Sequence, residues 1–363
     1  MLEHLPDLPP QKRLLLEQIV AQLRQIPGVA AVVLGGSYAG GTQHAASDLD
    51  IGLYYAAASP FSIPDIRRVA YELSAQGPAT VTDFYGWGAW VNGGAWIHTR
   101  HGKVDFLYRN LDQVRQTIAE AHAGIAHHDY DQQPTHGFYS TIYLAETQIC
   151  IPLYDPAQLI VALKREVATY PPGLKQRIIA DSLWAAEFTL LHAHGFAARG
   201  DVYNTVGCLT RTTANLTQAL FALNERYFLR DKQVMETIAG FPTLPRDYAG
   251  QIQDILAQPG RTAPELSQLS RRAAAGLGER HDAARGGLHA EVSDVALAHP
   301  TGSKTIFTPS PASKIRRASA HAVTGSTWLM SGAVRTWPLR SRPSARSQLG
   351  GVLALLPVTV SSR

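Results

Sequence analysis

The sequence predicts an α+β protein in three parts. A mixed sheet with flanking helices spans residues 1–110, an α-helical bundle spans 111–284, and a disordered or non-native tail spans 285–363. Three observations carry this. Short apolar, β-branched runs alternate with helical stretches before residue 110. Apolar residues recur at steps of three, four or seven through the second half. After Asp294 there is no Asp or Glu at all. Periodicity separates helix from strand, and an abrupt compositional shift marks a segment with too little organised apolar surface to join a core.

Gln11 to Ile26 reads as an amphipathic helix with Leu14, Ile19 and Leu23 among its apolar positions, ended by Pro27-Gly28. Strands follow at 29–34 and 49–55. Pro64 to Ser74 reads as a helix opened by proline, whose missing N–H costs nothing at that position. Strands near 79–85, 88–97 and 103–108 complete the sheet. Leu111 to His122 is a helix, and Tyr139 to Ile149 is a further helical stretch. Leu174 to Ala198 carries Ile178, Trp184, Phe188 and Leu191 at helical spacing, and Thr205 to Tyr227 repeats Val206, Leu209, Leu216, Leu220 and Leu223. Shorter helices are expected at 231–239, 246–257 and 264–277. The tail is rich in Ser, Ala, Arg and Pro, as in Arg340-Ser341-Arg342-Pro343, and reads as an extension such as a shifted reading frame would append.

The chemistry concentrates at Gly35-Gly36-Ser37 and, ten residues on, Asp48-Leu49-Asp50. On a strand, side chains alternate faces, so Asp48 and Asp50 share one side and Leu49, Ile51 and Leu53 take the other. Paired carboxylates repel unless a hard divalent cation sits between them, and such oxygen ligands suit Mg²⁺. Two glycines let the chain turn tightly near a ligand, and Ser37 adds a hydroxyl. Successive N–H groups in such a turn form a cradle for anions. Together these are parts for metal-assisted phosphoryl or nucleotidyl transfer.

The Gly-Gly-Ser turn, spacer and Asp-x-Asp resemble the signature of the DNA polymerase β-like nucleotidyltransferase superfamily, which includes the aminoglycoside adenylyltransferases. The resemblance covers roughly the first third of the chain. It implies a third carboxylate on a neighbouring strand, two Mg²⁺ ions held by three acidic residues, and Gly36 and Ser37 gripping the nucleoside triphosphate, expected to be ATP. Val104-Asp105-Phe106 and Val81-Thr82-Asp83 compete for the third acid. Asp105 is chosen because its segment alternates well and follows the glycine- and tryptophan-rich stretch 86–96, which can supply the preceding hairpin. A helical second half is also similar to small-molecule nucleotidyltransferases, in which it closes the cleft.

Composition narrows the partners. Nine of the 33 Lys and Arg residues lie after Asp294, so the rest of the chain holds 24 basic against 29 acidic side chains, a balance of −5. An acidic body lacks the basic track that nucleic acid demands. A small-molecule hydroxyl acceptor is expected over a protein, with nucleic acid unlikely and the oligomeric state open. No apolar run is long enough for a membrane span, no secretory signal is visible, and Cys150 and Cys208 form neither a disulfide framework nor a zinc pattern, so a cytoplasmic protein is expected. The expected activity is transfer of AMP from ATP to an acceptor hydroxyl; the alternatives are a protein-modifying or antitoxin-type enzyme and a catalytically silent nucleotide sensor.

Secondary candidates are fewer in signal. Arg211 and Lys232 are candidates to hold the triphosphate. Asp201 in Arg199-Gly200-Asp201 reads first as a helix cap, and Glu187 and Glu146 are candidate bases set against ordinary helix-face roles. Trp87, Trp90 and Trp96 could stack on a ring or fill the sheet core, and the histidines lack a metal-binding cluster.

Overall fold

The computed structural model describes residues 8–44 and 46–274. The tail at 285–363 and the last residues of the helix expected at 264–277 lie outside them. In chain order the elements are α1 (Pro10–Leu23), β1 (Ala31–Leu34), α2 (Gly36–Gly40), β2 (Leu49–Tyr55), α3 (Ile63–Leu73), β3 (Thr80–Val81), β4 (Gly94–Thr99) and β5 (Gly102–Asn110). Then follow α4 (Leu111–His122), β6 (His128–Asp129), β7 (Phe138–Tyr139), α5 (Thr141–Ile149), β8 (Ile151–Tyr154), α6 (Leu159–Glu166), α7 (Pro172–Ala198), α8 (Val202–Leu223), α9 (Val234–Ala239) and α10 (Tyr248–Ala257). Residues 263–274 are also helical.

Six strands form one sheet in the order β3-β4-β5-β2-β1-β8. β2 and β5 run parallel, and the other neighbours pair antiparallel. β2 is therefore interior. Its Leu49, Ile51 and Leu53, with Val104, Phe106 and Tyr108 of β5, are buried against Leu16, Ile19 and Leu23 of α1 and Ile66, Val69 and Leu73 of α3. The spacing in both helices puts one apolar stripe on the sheet. Burying each such Leu or Ile contributes about 2 kcal/mol. Prolines open α1 and α3, and the Ser62 side chain accepts the Asp65 N–H at the start of α3.

The opposite sheet face belongs to the helical second half. Ala31, Val33 and Tyr54 share a core with Leu111, Val114 and Ile118 of α4, Ile142 and Tyr143 of α5, and buried residues of α7 and α8. The long helices α7 and α8 form a hairpin joined by Arg199-Gly200-Asp201. Asp201 caps α8 by accepting the Asn204 N–H at 3.0 Å, so its carboxylate is spent on helix geometry. The Asn204 side-chain amide also donates to it, at 2.7 Å, and this bond together with the N–H holds the Asp201 pKa below the usual carboxylate range.

Three local expectations change. The sheet does not end with β5, because β8 adds an edge strand beyond residue 110. Pro152 sits inside that strand, and an edge with an irregular register between Val32 and Val33 is where a strand tolerates proline. The strand expected at 88–97 starts only at Gly94. Before it, residues 84–93 turn back on themselves around buried Asn92, which accepts the Tyr85 N–H and donates to the Tyr55 hydroxyl, both at 2.9 Å. Likewise only Thr80–Val81 of the stretch 79–85 is strand. No helix among the described residues is long and apolar enough to cross a membrane.

Candidate active site

The turn after β1 sets the site. Gly35 donates its N–H to the Asp50 carbonyl at 2.8 Å, joining the turn to β2. Gly36 follows at φ +58°, and a Cβ there would collide with the Asp50 carboxylate. Only glycine meets both demands, so the start of α2 lies against Asp50. Gly36 and Ser37 occupy the first turn of α2, where N–H groups have no partner within the helix. Buried Lys12 of α1 braces this corner, donating to the Tyr38 hydroxyl at 3.2 Å and to the Ser47 carbonyl, just before Asp48.

Asp48 precedes β2, Asp50 lies on it, and Asp105 of β5 stands directly opposite Asp50 in the parallel register. The period of two puts all three on one sheet face with Lys103. The Lys103 ammonium reaches Oδ2 of Asp105 at 3.0 Å and Oδ2 of Asp48 at 3.5 Å. Asp83 is elsewhere: it is exposed after β3, and its charge acts on Tyr108, which points to the other face.

The electrostatics follow from the interior position of β2. Burial first, then the charges of Asp105 and Asp48, raise the Asp50 pKa from 3.8 to about 6 against the pull of Lys103 and Arg230. Burial also raises Asp105, although Lys103 opposes it. For Lys103, burial works against the charge, but Asp105 and Asp48 outweigh it and raise the pKa. Oδ1 of Asp105 is buried with no hydrogen-bond partner among the described residues. An all-oxygen donor set, crowded negative charge and an orphaned carboxylate oxygen fit a hard divalent cation. Among the described residues no three His, Cys, Asp or Glu side chains are gathered as a finished metal cage. Lys103 stands between Asp48 and Asp105.

From Asp50, the one of the three carboxylates that lines it, a cavity of about 260 Å³ runs along the sheet. Gly52 is its floor: a Cβ there would come within 2.7 Å of Val33 Cγ2, so the space between Asp50 and Tyr54 stays open. Leu107, Ile142 and Ile149 give it apolar walls. At its far end the Arg109 guanidinium grips Glu146 of α5 with two bonds of 2.8 Å. Both Glu146 oxygens are thereby engaged, which suits it to fixing Arg109 rather than accepting a proton.

Arg230 lines the same cavity beside Asp50 and donates to Thr42 Oγ1 at 3.2 Å. Neither Arg211 nor Lys232 lines it. Arg211 belongs to a separate groove between α7 and α8 with Phe188 and Phe196, and Lys232 is an exposed turn residue two positions past Arg230. Glu187 is exposed on α7 and is not part of the cavity either. Trp90 packs on Phe138 and Tyr143 with ring centroids 5.6 and 5.8 Å apart. Trp96, stacked on Trp87 at 5.0 Å, is cross-strand neighbour to Asp105 and is 47% exposed. His127 pairs with Glu120 and His194 with Ser270, away from any metal cluster.

The glycine turn and the carboxylates of β2 lie in the part of the chain that matches a known domain. The family model described as "Nucleotidyltransferase domain" matches residues 16–81, which include the turn, Asp48 and Asp50 and stop short of Asp105. Over this segment, less than a fifth of its length, the chain is similar to nucleotidyltransferase domains. A solved nucleotidyltransferase-like protein from Exiguobacterium sibiricum 255-15 aligns over 80% of this chain and 80% of its own, at 8% identity and a TM-score of 0.37. No curated protein matches the chain.

Proposed function

We propose that this nucleotidyltransferase moves AMP from ATP to the hydroxyl of a small molecule, dependent on Mg²⁺. The observation that carries the reading is the register of Asp50 against Asp105 at the Gly35–Ser37 turn. Asp48, Asp50 and Asp105 would hold the divalent cation, which when bound neutralises phosphate charge and lowers the pKa of the attacking hydroxyl. ATP and Mg²⁺ follow from the superfamily resemblance of the motif.

The remaining steps fall to the chain's own groups. The N–H groups of Gly36 and Ser37, and the Ser37 hydroxyl, donate to the β- and γ-phosphates. Arg230, rather than Arg211 or Lys232, supplies the guanidinium that offsets the remaining phosphate charge beside Asp50. The acceptor oxygen bonds to the α-phosphorus as the α–β bridging bond breaks. Pyrophosphate leaves and the hydroxyl proton passes to solvent. Holding both reactants against one rigid sheet face lowers the entropic part of the barrier. A confined cavity with apolar walls, and the acidic balance before the tail, favour a small acceptor over a nucleic acid.

The test uses purified protein, Mg²⁺ and a panel of hydroxylated small molecules, amino sugars included, with ATP labelled at the α- or the γ-phosphate. Label from the α position alone is expected on the acceptor. Transfer of the γ label would replace nucleotidyl by phosphoryl transfer, and label on protein alone would replace the small acceptor by a protein one.

A further inference from the structure

The lysine among the carboxylates has no place in a reading that puts two divalent ions there. We propose that Lys103 is a resident counter-cation that occupies one of the two cation places among Asp48, Asp50 and Asp105, so that the site takes a single divalent ion. This rests on the reading of those three residues as ligands of a divalent ion.

The geometry points to a built feature. Lys103 lies two residues before Asp105 on β5, so both side chains leave the same sheet face. Its backbone is fixed in register opposite His98 of β4, next to the β4–β5 turn, where Thr99 Oγ1 donates to the Gly102 carbonyl at 2.6 Å. The ammonium is therefore delivered by a pinned hairpin and not by a free loop. It contacts one oxygen each of Asp105 and Asp48, at 3.0 and 3.5 Å, with a third of its side chain exposed and the Asp105 side chain 16% exposed.

The charges explain why one ion suffices. Lys103 contacts Asp105 and Asp48, and its charge and that of Arg230 act on Asp50. The ammonium already compensates Oδ2 of Asp105 and Oδ2 of Asp48. It leaves the Asp50 carboxylate and the unpartnered Oδ1 of Asp105, on residues paired across β2 and β5, for a divalent ion. A second ion on the Asp48–Asp105 pair would have to displace an ammonium from oxygens it already holds, and two cations so close repel. Lys103 is thus a positioning residue that sets metal stoichiometry.

Mn²⁺ titration of the full chain, followed by the electron paramagnetic resonance of free Mn²⁺ in the presence of an α,β-methylene ATP analogue, tests this without turnover. Wild type should bind one Mn²⁺ per chain. Lys103→Met and Lys103→Ala should bind two. Two ions on wild type would overturn the inference while leaving the ligand assignment intact, and this outcome needs no variant to fold. One ion on both variants, with unchanged melting transitions, would also overturn it. Binding by wild type no stronger than by an Asp48→Asn/Asp50→Asn double variant would remove the ligand assignment itself, and the inference with it.

Discussion

Asp50→Asn should stabilise the metal-free protein while abolishing its turnover. Asp50 is a carboxylate whose pKa rises from 3.8 to about 6 on folding, first through burial and then through Asp105 and Asp48. At about pH 3 and below, the group is protonated in both folded and unfolded chains and contributes nothing. As pH rises past 3.8 the unfolded chain ionises first, and stability falls until the folded protein also ionises near pH 6. Above that the full cost applies, about 3 kcal/mol from a shift of roughly two units. An amide has the same shape and no charge, so the variant should gain about this amount at pH 8 and almost nothing at about pH 3. Urea unfolding at the two pH values, with chelator present, measures it. Equal or lower stability of Asp50→Asn at pH 8 would refute the account of a crowded, under-compensated acidic site.

Further predictions concern the turn, the phosphate-side cation and the groups that sequence reasoning would have chosen. Gly36→Ala adds a Cβ in the left-handed region against the Asp50 carboxylate, and should cut turnover at least about 100-fold with the far-ultraviolet circular dichroism unchanged. Arg230→Ala should raise the KM for ATP about tenfold, the loss of roughly one charge-assisted contact, whereas Lys232→Ala and Arg211→Ala should stay near wild type in steady-state assays. A KM shift in Lys232→Ala and none in Arg230→Ala would reverse that assignment.

Much of the site could be read in the sequence because its parts are local. Gly35 to Asp50 is a single strand–turn–strand segment, and the alternation rule places Asp48 and Asp50 together without tertiary knowledge. Asp105 needed only a well-alternating strand, and the parallel register then set it opposite Asp50. What escaped was what the chain brings in from far away. Arg230 carries no motif, and it reaches the cavity only because the helical half packs on the free face of the sheet; Glu146 was a candidate base, but its pairing with Arg109 depends on the same packing. β8 escaped because Pro152 argues against a strand unless one knows it is an edge. Lys103 lies two residues before Asp105 in the sequence, but its contact with Asp48 depends on the β2–β5 pairing. Alternation puts Asp50 on a face with Asp48, but the interior place of its strand, and with it the raised pKa, depends on the sheet order.

The central claim, that Asp105 completes a nucleotidyl-transfer site with Asp48 and Asp50, is tested most directly by comparing Asp105→Asn with Asp83→Asn. Both remove one carboxylate charge, but only Asp105 shares the sheet face of Asp50. Release of pyrophosphate from ATP should fall by at least about 1,000-fold in Asp105→Asn, in keeping with lost charge stabilisation at a transferring phosphate, and by less than about threefold in Asp83→Asn. The opposite ranking, or full activity in Asp105→Asn, would contradict the account.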